Sequence, residues 1–526
     1  MFSQLVHRYI YLFGLFSLAF GMMVGTVPTS VPQLILAGNW VIEGRFRLKW
    51  DRLRRNHLFW LLISVYLVHV AGLFYSNDLD AALHDIRTKL PLIFLPLVFL
   101  SALDPDERLL QQVFGFFIAG CVANTLWCLV YSFALHDVEV VRNASRFMSH
   151  IRLGLYLNLA IAGCIYYARR GSGAKRIMYW LLPFYFIFSM VALGLASGLA
   201  NFILLILFFC VVKVFRAPWR TRIAAGACLV LIAIVVLLYV DHVRDGQLQV
   251  KNSLVNRPQR VTPGGNSYFH FDTAGQKENG YYVLMNIQPD ELRRAWNSDF
   301  PADTFSYHPG HNLQRYEVLL RYLSSKGLMK DSLGYAQLND GDKNYVRNGF
   351  TNFRQPGWNF LQRRVYELVN EYDESLNGRG VNGHSFTMRL YFWNATFHAI
   401  RRNYLFGSGT GDVQAELDRS YRETASPLSQ EWRKRPHNQF LTVTLGLGIF
   451  GLLVFLTGIF LPVLLLRKTL HPLYWPFLVL AVVSFLFEDT LETQAGLTFY
   501  AFFNTFFLCE AWFRKQRTPA GSQVSH

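Results

Sequence analysis

The residues best suited to chemistry precede the apolar stretch 439–466, in the segment Arg433-Lys-Arg435-Pro-His437-Asn438. An imidazole can accept a proton from a hydroxyl group or donate a hydrogen bond to a phosphate. The guanidinium groups of Arg433 and Arg435 can bind a diphosphate through paired hydrogen bonds. Arginine and histidine also anchor the ends of membrane spans, so these residues alone leave a functional site and an interfacial anchor equally open.

Further arginines have the same two interpretations. Arg389 lies four residues before Trp393 and therefore on the same face of a helix, where it could bind phosphate or stack as a structural residue; the sequence alone slightly favours the structural role. Arg146, His150 and Arg152 cluster at the start of another apolar stretch. A charge at a lipid boundary is costly unless it faces protein, water or a ligand, so we expect at least one of them to line a cavity.

Acidic residues interrupt the last two apolar stretches at Glu488, Asp489 and Glu492. They could orient basic site residues through salt bridges, or they could form a polar turn between two spans. The sequence alone favours the polar turn.

Two glycine patterns resemble nucleotide-binding loops, but neither has the surroundings that such a loop needs. Gly446-Leu-Gly448-Ile-Phe-Gly451 lies inside an apolar stretch with no preceding strand, so close packing between membrane helices accounts for it better. The segment Gly407-Ser-Gly-Thr-Gly-Asp412 lacks the Lys-Ser/Thr of a P-loop, and it predicts a tight turn before a helix capped near Asp412.

The sequence does not favour a metal site. Asp78-Leu-Asp80 and Asp340-Gly-Asp342 have the spacing of metal-binding aspartates, but such pairs are frequent by chance. All six cysteines fall in apolar stretches, which excludes a zinc cluster and disulfides elsewhere in the chain.

The composition of the whole chain, which must position these residues, indicates a membrane protein. The chain has 526 residues, 52% hydrophobic and 16% charged, whereas soluble domains have about 25% charged residues. This composition excludes a disordered chain and a collagen-like fibre. The polar block 241–437 holds 25 basic and 21 acidic residues, so most of the net charge of +16 belongs to the apolar remainder. Basic loops between apolar stretches indicate a membrane protein and not a nucleic-acid binder.

The apolar stretches predict about twelve transmembrane helices, because a span needs about 17–25 mostly apolar residues. The clear candidates are 58–75, 110–134, 177–195, 198–213, 223–240, 439–466, 474–488 and 495–512, and the shorter or interrupted ones are 9–25, 31–44, 91–104 and 151–168.

Basic residues set the predicted orientation. With both termini in the cytoplasm, 21 Lys and Arg residues lie near span ends on that side and five in the short loops opposite. The predicted fold is an all-α polytopic membrane protein with about nine spans in 1–240, a mainly helical external domain at 241–437, about three spans in 438–513 and a cytoplasmic tail at 514–526. Amphipathic stretches at 313–327, 358–376 and 385–402 predict helices in the external domain.

The segment from Arg389 to Leu453 resembles the O-antigen ligase and O-antigen polymerase family. The matching pattern is Arg389, Trp393, Leu405-Phe-Gly-Ser-Gly-Thr-Gly-Asp412, His437-Asn-Gln-Phe-Leu441 and Gly448-Ile-Phe-Gly451. Twelve spans with one large external loop before the third-last span are also similar to that family. The enlarged loop, including 321–331, resembles versions from Bacteroidetes-type bacteria.

The resemblance implies a GT-C-like glycosyltransferase in the bacterial inner membrane. It would move a glycan from undecaprenyl diphosphate to a hydroxyl acceptor such as lipid A–core at the periplasmic face, inverting the anomeric centre and using neither metal nor cofactor. It implies catalytic roles for His437 and Arg389. It implies substrate-binding roles for the remaining site residues, Arg146, Arg152, Arg433, Arg435, Asn438 and Asp412.

One departure from the family pattern concerns a middle span, where the family often has Ser-Arg and this chain has Ser197-Gly198. We therefore expect Arg146 or Arg152 to supply that charge, or the donor to be held differently.

Three alternatives stay open. A polymerase and a protein O-oligosaccharyltransferase share the donor chemistry, and the sequence does not separate them from a ligase. A transporter of lipid-linked glycans is disfavoured, because transporters place ionisable groups near the middle of spans and here only His69 lies well inside one.

Overall fold

The computed structural model describes residues 4–135, 147–271, 275–304, 313–376, 382 and 385–517. Of the predicted site residues, Arg146 lies outside these ranges. Contacts divide the chain into two compact units: the first comprises 1–216, 391–426 and 433–526, and the second comprises 217–390 and 427–432. The predicted boundaries at 240 and 437 refer to the membrane surface and remain a prediction.

Regular structure within the described ranges is almost entirely helical. The first ten helices are α1 (Gln4–Gly21), α2 (Thr26–Glu43), α3 (Phe46–Arg54), α4 (His57–Leu73), α5 (Leu79–Thr88), α6 (Pro91–Ala102), α7 (Glu107–Leu135), α8 (His150–Arg170), α9 (Gly173–Ala192) and α10 (Ala196–Phe215). The remainder are α11 (Trp219–Leu248), α12 (Pro289–Asp299), α13 (Leu313–Ser325), α14 (Ser332–Ala336), α15 (Asp340–Arg347), α16 (Phe360–Leu376), α17 (Ser385–Arg402), α18 (Val413–Glu423), α19 (Gln439–Leu466), α20 (Tyr474–Phe487) and α21 (Gln494–Arg517). Strands β1 (Lys277–Glu278) and β2 (Tyr281–Tyr282) form an antiparallel pair.

Each of the twelve predicted spans coincides with one helix. Five of these helices, α7, α8, α10, α11 and α19, are long and apolar enough to cross a membrane by themselves, and α3 with α4 makes a sixth candidate that is bent by 90°. The chain is therefore an all-α membrane protein. The number of spans stays a prediction, because α6 and α20 have only 12 and 14 residues.

Phenylalanine builds the core of the first unit. Along α21, residues from Gly496 to Ala511 are buried without interruption, as expected of a helix surrounded by others. Phe503 contacts Phe117 of α7 and Phe477 of α20, with ring centroids 4.9 Å and 6.1 Å apart. Offset and edge-to-face pairs of this kind add to the energy of burial. This core accounts for part of the unusual phenylalanine content.

Charged residues gather at two opposite ends of the first unit. At one end, Lys89 after α5 pairs with Glu492 before α21. At the other end, Glu107 at the start of α7 lies 3.1 Å from His471, which precedes α20, and 3.6 Å from Arg514 near the end of α21. Segments that the basic-residue count assigns to one side of the membrane thus meet at one end. The orientation itself remains a prediction.

The second unit has its own core and a buried polar cluster. Trp296, Leu319 and Tyr322 are fully buried between α12, α13 and α15. The Glu278 carboxylate is also buried, and it accepts hydrogen bonds from Arg321 at 2.7 Å and from Gln247 at 3.0 Å. The amphipathic stretches of the sequence coincide with α13, α16 and α17.

Candidate active site

His437 lies directly before α19 in a left-handed backbone conformation, with φ of +49°. Non-glycine residues seldom adopt this conformation unless their surroundings hold it. The His437 backbone N–H donates to Asp489 Oδ2 at 2.9 Å, and the preceding carbonyl of Pro436 accepts from the Trp393 indole at 2.9 Å. These two bonds hold the peptide group between Pro436 and His437, and on the other side of the imidazole the Asn438 N–H donates to Asp489 Oδ1 at 3.2 Å.

The His437 imidazole is half-buried and paired with a carboxylate. Its Nδ1 lies 3.3 Å from Glu488 Oε2, and its ring centroid lies 5.7 Å from that of Phe392. A carboxylate at Nδ1 favours the tautomer that carries the proton there, so that Nε2 becomes the atom able to accept one. The pair therefore has the geometry of an oriented general base.

Beside His437, the Glu492 carboxylate is the centre of a network of four charged side chains, its own included. Glu492 Oε2 lies 2.9 Å from Lys89 Nζ and 2.7 Å from Arg435 Nη1, and Lys89 Nζ lies 2.6 Å from Asp85 Oδ1. Although burial alone would raise the pKa of Glu492, the charges of Lys89 and Arg435 hold that pKa well below its usual value. Burial, opposed by Lys89, raises the pKa of Asp85 to about 6. The network fixes Arg435 next to His437.

A cavity of about 20 Å³ lies within this network. His69 of α4 and Thr442 of α19 line it together with Lys89, Arg435 and Glu492. A cavity of this size has room for one water molecule. His69, the one histidine predicted inside a span, thus faces the same charged network.

The prediction that Glu488, Asp489 and Glu492 merely form a polar turn is wrong. Glu488 contacts the imidazole, Asp489 binds the backbone of His437 and Asn438, and Glu492 pairs with Arg435. The sequence contained a signal for these contacts, because the predicted topology puts the three acids and the basic segment on the same side of the membrane. If the basic residues of that segment are buried, they need acidic counter-ions nearby.

The other predicted arginines occupy different places. The carbonyl of Arg433 accepts from Gln414 at 3.4 Å, which fixes its backbone beside α18. Arg152 lies in the first turn of α8, one turn before Tyr156, whose hydroxyl donates to the Ala495 carbonyl at 2.9 Å. Arg389 lies in the part of α17 that belongs to the second unit, whereas His437 belongs to the first.

Asp412 and Asn438 make bonds that hold the backbone. The Asp412 carboxylate accepts from the backbone N–H groups of Asn77 at 2.7 Å and Asp78 at 2.9 Å, and its side chain does not cap α18. The side chain of Asn438 caps α19 by accepting from Leu441 N at 3.1 Å. Both residues therefore position the loops around the site.

The aspartate pairs with metal-binding spacing act as helix caps. Asp78 accepts from Ala81 N at the start of α5, and Asp342 forms a capping box with Asn339 at the start of α15. Within the described part of the chain, no group of three or more His, Cys, Asp or Glu side chains is arranged to hold a metal ion.

The glycines of α19 serve a packing different from the predicted one. The helix breaks at Gly448, where φ is +65°, and the segment 404–409, which begins with a turn, runs beside it. Ser408 N and Gly409 N donate to the carbonyls of residues 445 and 446 at 2.9 Å, and Ile449 N donates to the carbonyl of residue 404 at 2.8 Å. A Cβ at Gly448 would lie 2.1 Å from the Leu405 carbonyl oxygen. At Gly448, a turn and not a second membrane helix therefore packs against the glycine. The turn ends at Asp412 before α18, as predicted.

Gly198 has a packing role at the position where the family often has arginine. A Cβ at Gly198 would lie 2.9 Å from the Cα of Gly154 on α8, and the Gly198 carbonyl accepts from Asn158 at 2.8 Å. The backbones of α8 and α10 touch here, which leaves no space for an arginine side chain.

The fold and the site together define a helical membrane protein with an oriented histidine, acidic partners and arginine at one end of its bundle. Residues 349–456 match the family model described as O-antigen ligase. This match places that region in the O-antigen ligase and polymerase family, whose members are glycosyltransferase-type ligases and polymerases. The match includes Arg389, the turn before α18, His437 and the break in α19. No curated protein matches the chain significantly.

Proposed function

We propose that this protein transfers a glycan from undecaprenyl diphosphate to a hydroxyl acceptor, such as lipid A–core, at the periplasmic face of the inner membrane. In this proposal the chain crosses the membrane twelve times, both termini are cytoplasmic, and 241–437 is periplasmic. The family match and the apolar helices support the general class. The observation that carries the proposal is the His437–Glu488 pair next to Arg435.

The proposed reaction is a direct displacement. His437 Nε2 accepts the proton of the acceptor hydroxyl as its oxygen bonds to the anomeric carbon, and the bond from that carbon to the diphosphate oxygen breaks with inversion. The diphosphate leaves with the bonding electrons, and its charge is stabilised by arginines rather than by a metal. Arg389, Arg433, Arg435, Arg146 and Arg152 are the proposed phosphate-binding residues.

Replacing the base tests the assignment. His437→Ala should abolish glycan transfer by the purified full-length protein while expression stays normal. His84→Ala is the matched control, because His84 is an exposed histidine on α5 at the same end of the bundle. Near-normal transfer by His437→Ala would refute the assignment of the base.

Arg389→Ala tests the phosphate-binding role separately. We expect a loss of transfer nearly as severe as that of His437→Ala, together with weaker binding of the lipid diphosphate. Normal donor affinity in this variant would assign Arg389 a structural role.

The lipid that accumulates in a deletion strain distinguishes the members of the class. Long polymer left on the carrier would support a ligase, and single repeat units would support a polymerase. Loss of glycosylated proteins from the same strain would indicate a protein O-oligosaccharyltransferase. Movement of lipid-linked glycan across liposomes by the purified protein, without bond formation, would overturn the proposal in favour of a transporter.

A further inference from the structure

A second, larger cavity opens at the end of the first unit opposite His437. Its volume is about 400 Å³, which lies in the range of small-molecule sites. It lies between α3, the start of α4, the end of α6 and the end of α21, and it is lined by Arg52, Arg55, Asn56, Asp104 and Trp512 among others.

The charges around this cavity leave a positive excess. Both acidic residues of the lining have an arginine of their own: Asp51 lies 2.7 Å from Arg54, and Asp104 pairs with Arg517. Arg52 donates to the Ser101 carbonyl at 3.0 Å. Neither Arg52 nor Arg55 has a carboxylate partner among the described residues.

The apolar surroundings connect the cavity to lipid. Leu100, Trp512 and Phe513 form part of its wall. The short helix α3, which leads into it, meets α4 at 90° and exposes Phe46 and Trp50 to 51% each. A basic amphipathic helix at right angles to a span is typical of the membrane interface. Its apolar side chains would enter the acyl region while the cavity faces the headgroups.

We propose that this cavity binds the headgroup phosphate of an anionic phospholipid, with Arg52 and Arg55 as the phosphate ligands. Guanidinium groups bind phosphate oxygens through paired hydrogen bonds. The cavity is separate from the proposed glycan-transfer site, and the proposal does not depend on that function. A free phosphate ion offers the same oxygens but lacks the acyl chains that would pack beside Trp512 and α3.

The test uses the purified full-length protein in a neutral detergent. Binding of phosphatidylglycerol, phosphatidylcholine and inorganic phosphate is measured by native mass spectrometry and by the shift of the melting temperature. We expect wild type to bind phosphatidylglycerol at least tenfold more tightly than phosphatidylcholine, and Arg52→Gln/Arg55→Gln to lose that preference. The control Arg8→Gln/Arg108→Gln removes the same charge from exposed positions on helices of this end that do not line the cavity, and it should retain the preference for phosphatidylglycerol.

Two further variants distinguish a loss of lipid binding from a failure to fold. Arg55→Gln alone removes no described hydrogen bond, so it should fold normally and bind phosphatidylglycerol at least threefold more weakly. Arg52→Lys/Arg55→Lys keeps the charge and should retain part of the preference. Equal binding of phosphatidylglycerol by wild type and Arg55→Gln would overturn the proposal. Stabilisation by inorganic phosphate equal to that by the lipid would overturn the assignment to a phospholipid.

Discussion

His437 is held by two different acids, one at its backbone and one at its ring. Asp489 accepts the backbone N–H at 2.9 Å, and Glu488 lies 3.3 Å from Nδ1. Adjacent residues therefore hold the backbone of His437 and favour one tautomer of its imidazole. In the proposed function, Glu488 positions the base and does not touch the substrate.

The variant Glu488→Gln tests whether Glu488 orients the imidazole of His437 or only stabilises the fold. The amide retains a bond to the ring but no longer favours the tautomer with Nε2 free, so we expect transfer to fall about 10- to 100-fold, below the full contribution of general base catalysis. Measurement of rate against pH should show an altered profile with unchanged donor affinity. The exposed carboxylate of Asp80 gives the control Asp80→Asn, and an identical pH profile in Glu488→Gln and wild type would contradict the positioning role.

Lys330 should make the stability of the second unit depend on pH. Its side chain is fully buried, its Nζ donates to the carbonyls of Tyr282 at 2.7 Å and Met285 at 2.9 Å, and burial lowers its pKa from 10.5 to about 7. The unfolded chain binds more protons between these values, so stability rises with pH over that interval. The gain from pH 7 to pH 9 is roughly 2 kcal/mol.

Hydrogen exchange of the segment around α13 and α14, corrected for intrinsic rates, should therefore slow as the pH rises from 7 to 9. Lys330→Met should remove this pH dependence. A variant with the same pH dependence as wild type would show that another group is responsible.

For single residues, the sequence predicts which side chains are candidates for function better than it predicts which residues they contact. His437 and Arg435 stand out because they adjoin an apolar stretch. Lys89 does not stand out, because its partner Glu492 is 403 residues away and only the packing of the helices brings the two together. Glu488 stands out as well, but for a run of acids between two apolar stretches the sequence alone favours a polar turn.

The break in α19 is the main irregularity among the elements. Gly448 ends the first part of the helix, and the segment 404–409 supplies hydrogen bonds to the backbone groups that the break leaves open. Unpaired backbone groups in an apolar surrounding are costly, so the turn and the break depend on each other. The turn continues to Asp412, which binds the loop before α5.

Gly448→Ala should disrupt this arrangement. Alanine at φ +65° costs about 1–3 kcal/mol, and its Cβ would lie 2.1 Å from the Leu405 carbonyl oxygen. We expect a lower melting temperature in detergent and a loss of transfer. Gly115→Ala on α7 is the control, because a Cβ there meets nothing within 4 Å and alanine favours a helix. Equal melting temperatures for the two variants would contradict this account.

Each of the twelve apolar stretches coincides with a helix, because a segment in an apolar surrounding must satisfy its backbone hydrogen bonds internally. Hydropathy did not locate the break in α19 or the 90° bend between α3 and α4. A glycine in an apolar stretch is compatible with helix packing and with a break alike. The choice between them depends on the segment 404–409, which belongs to another part of the chain.

For the molecule as a whole, the Glu492 network joins segments from the two ends of the sequence. Lys89 follows α5, Arg435 precedes α19, and Glu492 precedes α21. A buried ion network adds little stability by itself, but removing one partner leaves uncompensated charges.

Glu492→Gln should therefore destabilise the protein by about 3 kcal/mol, because Lys89 and Arg435 lose their shared carboxylate. Thermal unfolding of the full-length protein in detergent measures the effect. Glu317→Gln, at an exposed position, is the control and should be neutral. A melting temperature unchanged from wild type in Glu492→Gln would show that the network does not hold the bundle together.

The distance between Lys89 and Glu492 along the chain also has a consequence for synthesis. Lys89 leaves the ribosome about 400 residues before its second counter-ion, so during insertion Asp85 is its only nearby partner within the network. The site around His437 is thus completed only when the last two helices arrive. Chains truncated before Glu488 would carry the whole matched region and most of the apolar helices and still lack the acids that hold His437 and Arg435.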